Sequence, residues 1–292
     1  MRTLHDQVVV ITGAGSGIGR SLALNAAARG SLLALSDVDE AGLAGTVDLT
    51  KNVGATAVHA ARLDVADRAA FTAYAAEVVE HFGRVNVVVN NAGVSLTGEI
   101  VDLSYEDMEW IVGINFWGVV HGTREFLPHL IASGDGHLVN ISSLFGLISM
   151  PGQSLYNATK YAVRGLSESV REEMLIAGHN VGVTVVHPGG IKTAIARSGR
   201  VVGRADPAAA AKLFDQKLAK MTPDRAAEII VRAVLKNQAR CLVGMDAHVL
   251  HHLAKLTGSR YQDIVARTSA GMIPLRKEAE AGRPSPPADP SR

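Results

Sequence analysis

Two residues able to do chemistry together stand one helical turn apart in the stretch SLYNATKYAV: Tyr156 and Lys160. A phenol with a pKa of about 10 is a poor base at neutral pH, and an ammonium beside it favours the phenolate. Residues four apart on a helix are neighbours, so the spacing supplies that charge; an ordinary solvated surface pair has the same spacing. A second constellation lies near the start. In ITGAGSGIG, Gly13, Gly17 and Gly19 follow an apolar run and open a helical pattern. Glycine there lets the backbone turn tightly and leaves helix N-terminal amides free for a diphosphate. The next apolar run ends at Asp37 in LSDVDE. That carboxylate is placed to accept hydrogen bonds from ribose hydroxyls, or simply to end a strand in a turn.

These residues need a scaffold, and the pattern describes one. Short runs rich in Val, Ile and Leu recur as QVVVITG, SLLALSD, TAVHAARLDV, VNVVVNNAG, HLVNISS, VGVTVVHPG and ARCLVG. Most lack polar alternation, as expected of strands covered on both faces. Segments with helical spacing lie between them, among them Ser16 to Arg29, Ala66 to Phe82, Tyr105 to Ile131 and Ser154 to Ala177. Strand alternating with helix predicts an α/β fold, a doubly wound, mostly parallel sheet of the Rossmann type. One catalytic domain is expected over residues 1–245, with a substrate loop at 194–220 that ends where Thr222 and Pro223 open a helix. A helical extension is expected at 246–275, and a disordered tail at 276–292, rich in proline and polar residues.

The spacing Gly-x-x-x-Gly-x-Gly after Thr12, NNAG after the fourth run and Tyr-x-x-x-Lys downstream resemble the short-chain dehydrogenase/reductase family over about residues 4–245. The resemblance implies hydride exchange with a nicotinamide dinucleotide. It implies that Gly13, Ser16, Gly17, Ile18 and Gly19 form the cofactor loop and that Asp64 and Val65 meet the adenine. Asn91, Ala92 and Gly93 of NNAG, which begins at Asn90, then pack tight backbone against the cofactor. The family serine lies thirteen positions before the tyrosine, which gives Ser143 in NISSLFG. Ser143 then binds the substrate oxygen, Tyr156 exchanges its proton, and Lys160 holds the nicotinamide ribose as well as favouring the phenolate. Asn115 in VGINFWG matches the family asparagine that kinks a helix and holds a water linking the lysine to solvent. Pro188, Gly189, Ile191 and Thr193 of HPGGIKT match the segment at the nicotinamide carboxamide. Asp37 would repel the extra phosphate of NADP, and Ser16 and Val38 stand where the family places a basic residue, so NAD is expected over NADP. A homodimer or homotetramer, assembled through two long helices, is implied as well.

Composition narrows the rest. The chain's 29 basic and 28 acidic residues give a formal charge of +1 without long blocks, so no nucleic-acid partner is expected and a small molecule is. No long apolar stretch or leader is read, so neither membrane insertion nor export is expected, and a cytoplasmic protein is. The single cysteine, Cys241, reads as a buried strand residue. His187 reads as structural and Arg20 as a solvated helix-surface residue. His248, His251 and His252 read as a helix face, with no metal expected. Leu96, Leu144, Phe145, Leu147, Met150, Ile195 and Phe214 are candidate walls for a lipophilic alcohol or ketone. The resulting expectation is an NAD-dependent interconversion of a secondary alcohol and a ketone. The alternatives are an NADPH-linked ketoacyl reductase, which Asp37 and Ser16 argue against, and a non-catalytic dinucleotide sensor.

Overall fold

The computed structural model describes residues 3–196, 198–203 and 219–269. Seven strands form one parallel sheet: β1 (Val8–Thr12), β2 (Leu32–Asp37), β3 (Val58–Arg62), β4 (Val87–Asn90), β5 (Gly136–Ile141), β6 (Val181–Pro188) and β7 (Arg240–Val243). Their order is β3-β2-β1-β4-β5-β6-β7, with every neighbouring pair parallel. The order reverses between β1 and β4, and the crevice beyond the carboxyl ends of strands at such a switch point is where open α/β sheets bind ligands. A short parallel pair, Leu96–Thr97 with Arg200–Val201, lies outside this sheet.

The helices are α1 (Gly17–Ala27), α2 (Glu40–Asn52), α3 (Arg68–Phe82), α4 (Tyr105–Val112), α5 (Gly118–Ala132), α6 (Ser154–Ile176), α7 (Pro223–Leu235), α8 (Met245–Thr257) and α9 (Tyr261–Ser269). Strand alternation assigns them to layers. Val9, Ile11, Leu33 and Leu35 point to the face covered by Leu22 and Ala26 of α1, Leu43 of α2 and Ile230 of α7. Val10, Ala34, Val88 and Leu138 point to the other, against Phe71 and Val78 of α3, Phe126 of α5 and Met174 of α6. Phe71 and Phe126 are fully buried, and burial of such a side chain stabilises by roughly 1.5–3 kcal/mol.

Side chains start several helices, α7 at the place the sequence predicts. Asp39 accepts from Gly42 N, Asp67 from Ala70 N, Ser104 from Asp107 N, and Thr222 from Arg225 N ahead of Pro223. The stretch from Tyr105 to Ile131 is not one regular helix: a π-helical turn, Gly113–Trp117, joins α4 to α5. Residues 197 and 204–218 of the expected loop, Phe214 with them, and 270–292 lie outside the described residues. Among the described residues no helix is long and apolar enough to cross a membrane.

Candidate active site

Backbone contact between the glycine loop and the segment after β4 builds the floor of the crevice. Gly13 and Gly17 have φ of 65° and 53°, the left-handed region that glycine enters without strain. A Cβ on Gly13 would lie 2.8 Å from Ala92 Cα, and one on Gly19 only 2.1 Å from Gly13 O. Thr12 fastens the two segments, its hydroxyl accepting from Asn91 N and Ala92 N at 3.1 Å each. Asn91 Nδ2 donates in return to Thr12 O (2.9 Å) and Gly13 O (3.1 Å).

Asp37, at the end of β2, already holds the loop: its Oδ2 accepts from Gly15 N at 2.7 Å and its Oδ1 from Asp39 N at 3.0 Å. Arg20 corrects its sequence reading. It is half-buried rather than freely solvated, donating to Gly15 O, to Gly42 O (3.2 Å) and to Thr46 Oγ1 (2.9 Å), and so ties the loop to α2. Asp64 caps its own turn by accepting from Ala66 N at 2.9 Å, beside buried Val65. A dinucleotide fits this chemistry. Ser16, at the N-cap of α1, makes no capping hydrogen bond, in contrast to the capped starts of α2, α3, α4 and α7. The first-turn amides of α1, with Ile18 and Gly19 among them, therefore face the crevice without a side-chain acceptor, and Asp37 borders them.

The second group gathers on α6 and the end of β5. Ser143 stands close enough to the Tyr156 hydroxyl to favour its ionised form, and Lys160 Nζ lies 5.7 Å from the centre of the Tyr156 ring. Both side chains are buried, at 7% and 3% exposure. Burial works against the charges that the spacing of the two residues favours. Burial raises the Tyr156 pKa above its ordinary value, with Ser143 pulling the other way, and burial lowers Lys160 to about 8. Desolvation disfavours both charged forms here, so one helical turn from an ammonium does not by itself make Tyr156 a phenolate. Lys160 Nζ donates to Ile141 O at 3.1 Å, and Ser142 Oγ donates to Lys160 O at 2.8 Å.

Asn115 lies in the π turn, fully buried, and its amide grips the Val94 backbone from both sides. Its Oδ1 accepts from Val94 N (2.8 Å) and its Nδ2 donates to Val94 O (2.9 Å). Gly93 sits between this residue and the lysine, since a Cβ there would lie 3.2 Å from Asn115 Oδ1 and 3.4 Å from Lys160 Nζ.

After β6, the segment from Pro188 to Thr193 closes the third side. Ile191 is buried, and Thr193 Cγ2 comes within 3.1 Å of where a Cβ on Gly17 would stand. His187 is fully buried and its Nδ1 bonds the Ser143 carbonyl at 2.8 Å, so that nitrogen carries the proton. Burial drops its pKa to about 4, and it holds Ser143 from behind as a neutral imidazole.

The glycine loop, Asp37, the NNAG segment, Ser143, Tyr156, Lys160 and the segment after Pro188 thus converge on one crevice. Of the apolar wall candidates, Leu96 packs with Tyr156 and Phe145, whose ring meets the Tyr156 ring edge-on at 6.2 Å. Leu144 packs instead with Ile148 and Ala247 beneath α8. Cys241 is buried, which pushes its thiol up to about 12. His251 is buried while His252 bonds His248 O at 2.7 Å. Among the described residues no three His, Cys, Asp or Glu gather as a metal site. Sequence reasoning left out the Ser142 hydroxyl and Asp246, whose carboxylate accepts from Gly190 N at 2.7 Å. The adjacent serine pair of NISSLFG is a signal for the first; the second has none.

Known proteins resemble the chain. The short chain dehydrogenase family matches residues 7–201. SadH of Mycobacterium tuberculosis strain H37Rv, a protein named as an oxidoreductase, is 54% identical over 95% of this chain and 100% of its own length. Dehydrogenase/reductase SDR family member 7B of Xenopus tropicalis is 34% identical over 82% of this chain and 78% of its own. A crystal structure of a short chain dehydrogenase/reductase from Burkholderia phymatum in complex with NAD superposes with a TM-score of 0.81 at 33% identity, covering 91% of this chain and 97% of that one. With a parallel seven-stranded sheet, a glycine loop at its switch point and these relatives, the chain belongs to the short-chain dehydrogenase/reductase family of oxidoreductases.

Proposed function

We propose that this chain is an NAD-dependent oxidoreductase that interconverts a secondary alcohol and a ketone on a lipophilic substrate. The observation that carries the reading is the placement of buried Tyr156 beside buried Lys160, whose Nζ lies 5.7 Å from the ring centre, with Ser143 at the end of β5 alongside, in the crevice that the glycine loop borders. Bound dinucleotide supplies the hydride acceptor or donor. Gly13, Ser16, Gly17, Ile18 and Gly19 hold its diphosphate through backbone amides, Asp37 its adenosine ribose, Asp64 and Val65 its adenine, and Asn91, Ala92 and Gly93 its flank. Lys160 holds the second ribose, while Pro188, Gly189, Ile191 and Thr193 hold the nicotinamide end.

In oxidation, Ser143 Oγ donates a hydrogen bond to the substrate oxygen and Tyr156 Oη accepts the hydroxyl proton as the carbinol C–H bond gives up its hydride. In reduction, Tyr156 returns that proton to the carbonyl oxygen. The neutral phenol that burial favours is already the form reduction requires. Asn115 keeps Gly93 and Val94 in place beside Lys160.

The preference for NAD rests on Asp37, whose charge opposes a second phosphate on the ribose. Leu96, Phe145 and Leu147 support an apolar substrate. We assign the chemistry to residues 1–245, substrate contact to the loop at 194–220 and a helical extension to 246–275. Assembly as a homodimer or homotetramer belongs to the same reading, supported by Leu175 and Ile176, exposed at the end of α6. The test is absorbance of NADH formed with secondary alcohols graded from short-chain to steroid-sized, run in parallel with NADP. Turnover rising with substrate size and faster with NAD is expected; faster turnover with NADP would overturn the cofactor assignment.

A further inference from the structure

β7 ends at Val243, and Gly244 follows with φ of 108°, a conformation that glycine adopts without strain. The chain turns there into α8, whose first turn sets Asp246 against the backbone of the segment after β6. Asp246 Oδ2 accepts from Gly190 N at 2.7 Å, across 56 positions of sequence. The approach excludes side chains on both sides of the carboxylate. A Cβ on Gly189 would lie 2.2 Å from Asp246 Oδ2, and one on Gly244 would lie 2.4 Å from Oδ1.

Other bonds hold the same segment from different directions: Gly189 N donates to Val243 O (2.8 Å), and Gly190 O accepts from Lys220 N (3.0 Å). Helix α8 is itself seated, with Ala247 fully buried against Leu144 and Ile148 of the turn that follows Ser143. Near its far end, Tyr261 Oη accepts from Ser149 N at 3.2 Å, so α8 and α9 also hold the other rim of the crevice.

We propose that Asp246 is a positioning residue for the dinucleotide: it fixes the Pro188–Thr193 segment and so sets the affinity for the nicotinamide half without touching it. The inference rests on the NAD-dependent reading above. It gives Gly189 a second reason to be glycine, because its missing Cβ is where the carboxylate lies.

Hydrogen–deuterium exchange without nucleotide reads the segment alone, and fluorescence titration with NADH reads the consequence. In Asp246→Ala, faster exchange in the peptide spanning residues 187–193 is expected, with NADH bound about tenfold more weakly. The KM for NAD rises with it, while kcat stays within about twofold. Asp246→Asn keeps an acceptor for Gly190 N and is expected to recover most of the affinity and the slow exchange. Gly189→Ala displaces the carboxylate from a chain that retains it; because Gly189 itself belongs to the nicotinamide end, it is read by exchange without nucleotide alone, where it is expected to reproduce Asp246→Ala and keeps that comparison open if Asp246→Ala does not fold. Unchanged exchange, or faster exchange with unchanged NADH affinity, overturns the proposal. A wild type that binds no NADH, while its 187–193 peptide still responds to Asp246→Ala, locates the failure in the cofactor reading rather than in the hold of Asp246 on the segment.

Discussion

Replacing Asn115 by alanine tests whether one side chain holds the π turn beneath the crevice. The amide accepts from Val94 N at 2.8 Å and donates to Val94 O at 2.9 Å, so truncation strands two backbone groups together. An unpartnered buried polar group costs roughly 1–3 kcal/mol, and Val94 is only half-buried, so water recovers part of that. A net loss of about 2–4 kcal/mol is expected, a large share of the roughly 5–15 kcal/mol that stabilises a domain. Asn115→Leu separates bonding from packing, since it refills the volume and makes neither bond; it is expected to be no more stable than the alanine variant. Guanidinium unfolding followed by fluorescence is well placed to read this, because the chain's two tryptophans are Trp110, in α4, and Trp117, in the π turn itself. An alanine variant that unfolds at the wild-type midpoint with the wild-type slope would refute the reasoning, and a leucine variant restored to wild type would assign the effect to the cavity.

Burial of neutral histidines predicts an acid limb of stability. His137, pushed to about 3, and His187, at about 4, lie below the unfolded value of about 6.5, so the unfolded chain binds more protons between these limits. Their contribution is complete above about pH 6.5 and is lost as pH falls toward 4, by up to about 1.4 kcal/mol per pH unit for each histidine. His137→Gln is expected to flatten that limb in denaturant titrations at pH 4.5 and 6.5; an unaltered slope contradicts the assignment. The raised Tyr156 pKa predicts that alcohol oxidation, which needs the phenolate, accelerates from pH 7 to 9 while ketone reduction does not; oxidation independent of pH over that range would argue against Tyr156 as the base. Asp37→Asn removes the charge and leaves one acceptor for Gly15 N, so the ratio of NAD to NADP affinity is expected to narrow about tenfold or more by isothermal titration, mainly through stronger NADP binding. An unchanged ratio shows that the carboxylate does not select the cofactor.

Most strands were legible because they are short apolar runs covered on both faces, the half-exposed edge strand β3 being the exception, and the start of α7 because Thr222 caps it ahead of Pro223. The glycine loop and the Tyr156 to Lys160 spacing are likewise local signals. What sequence left out depends on contacts between distant residues. The resemblance implies a kink at Asn115, but its form, a π turn in which Asn115 binds Val94, 21 positions away, comes from a distant contact. Arg20 reads as a helix-surface residue until α2 delivers Gly42 and Thr46 to it. The balance of effects on Tyr156 is legible only in part: its lysine neighbour is written in the sequence, whereas the burial that desolvates both groups is a property of the fold.

The most direct test of the whole account is Tyr156→Phe, which keeps the ring that packs against Phe145 and removes only the hydroxyl oxygen. NADH affinity and single-turnover hydride transfer would be measured on the same preparation, with a secondary alcohol that the wild type oxidises. The account predicts NADH binding within about threefold of wild type and hydride transfer slowed by roughly 10²–10⁴, the range that a positioned proton-transfer group contributes. Hydride transfer at the wild-type rate would contradict it.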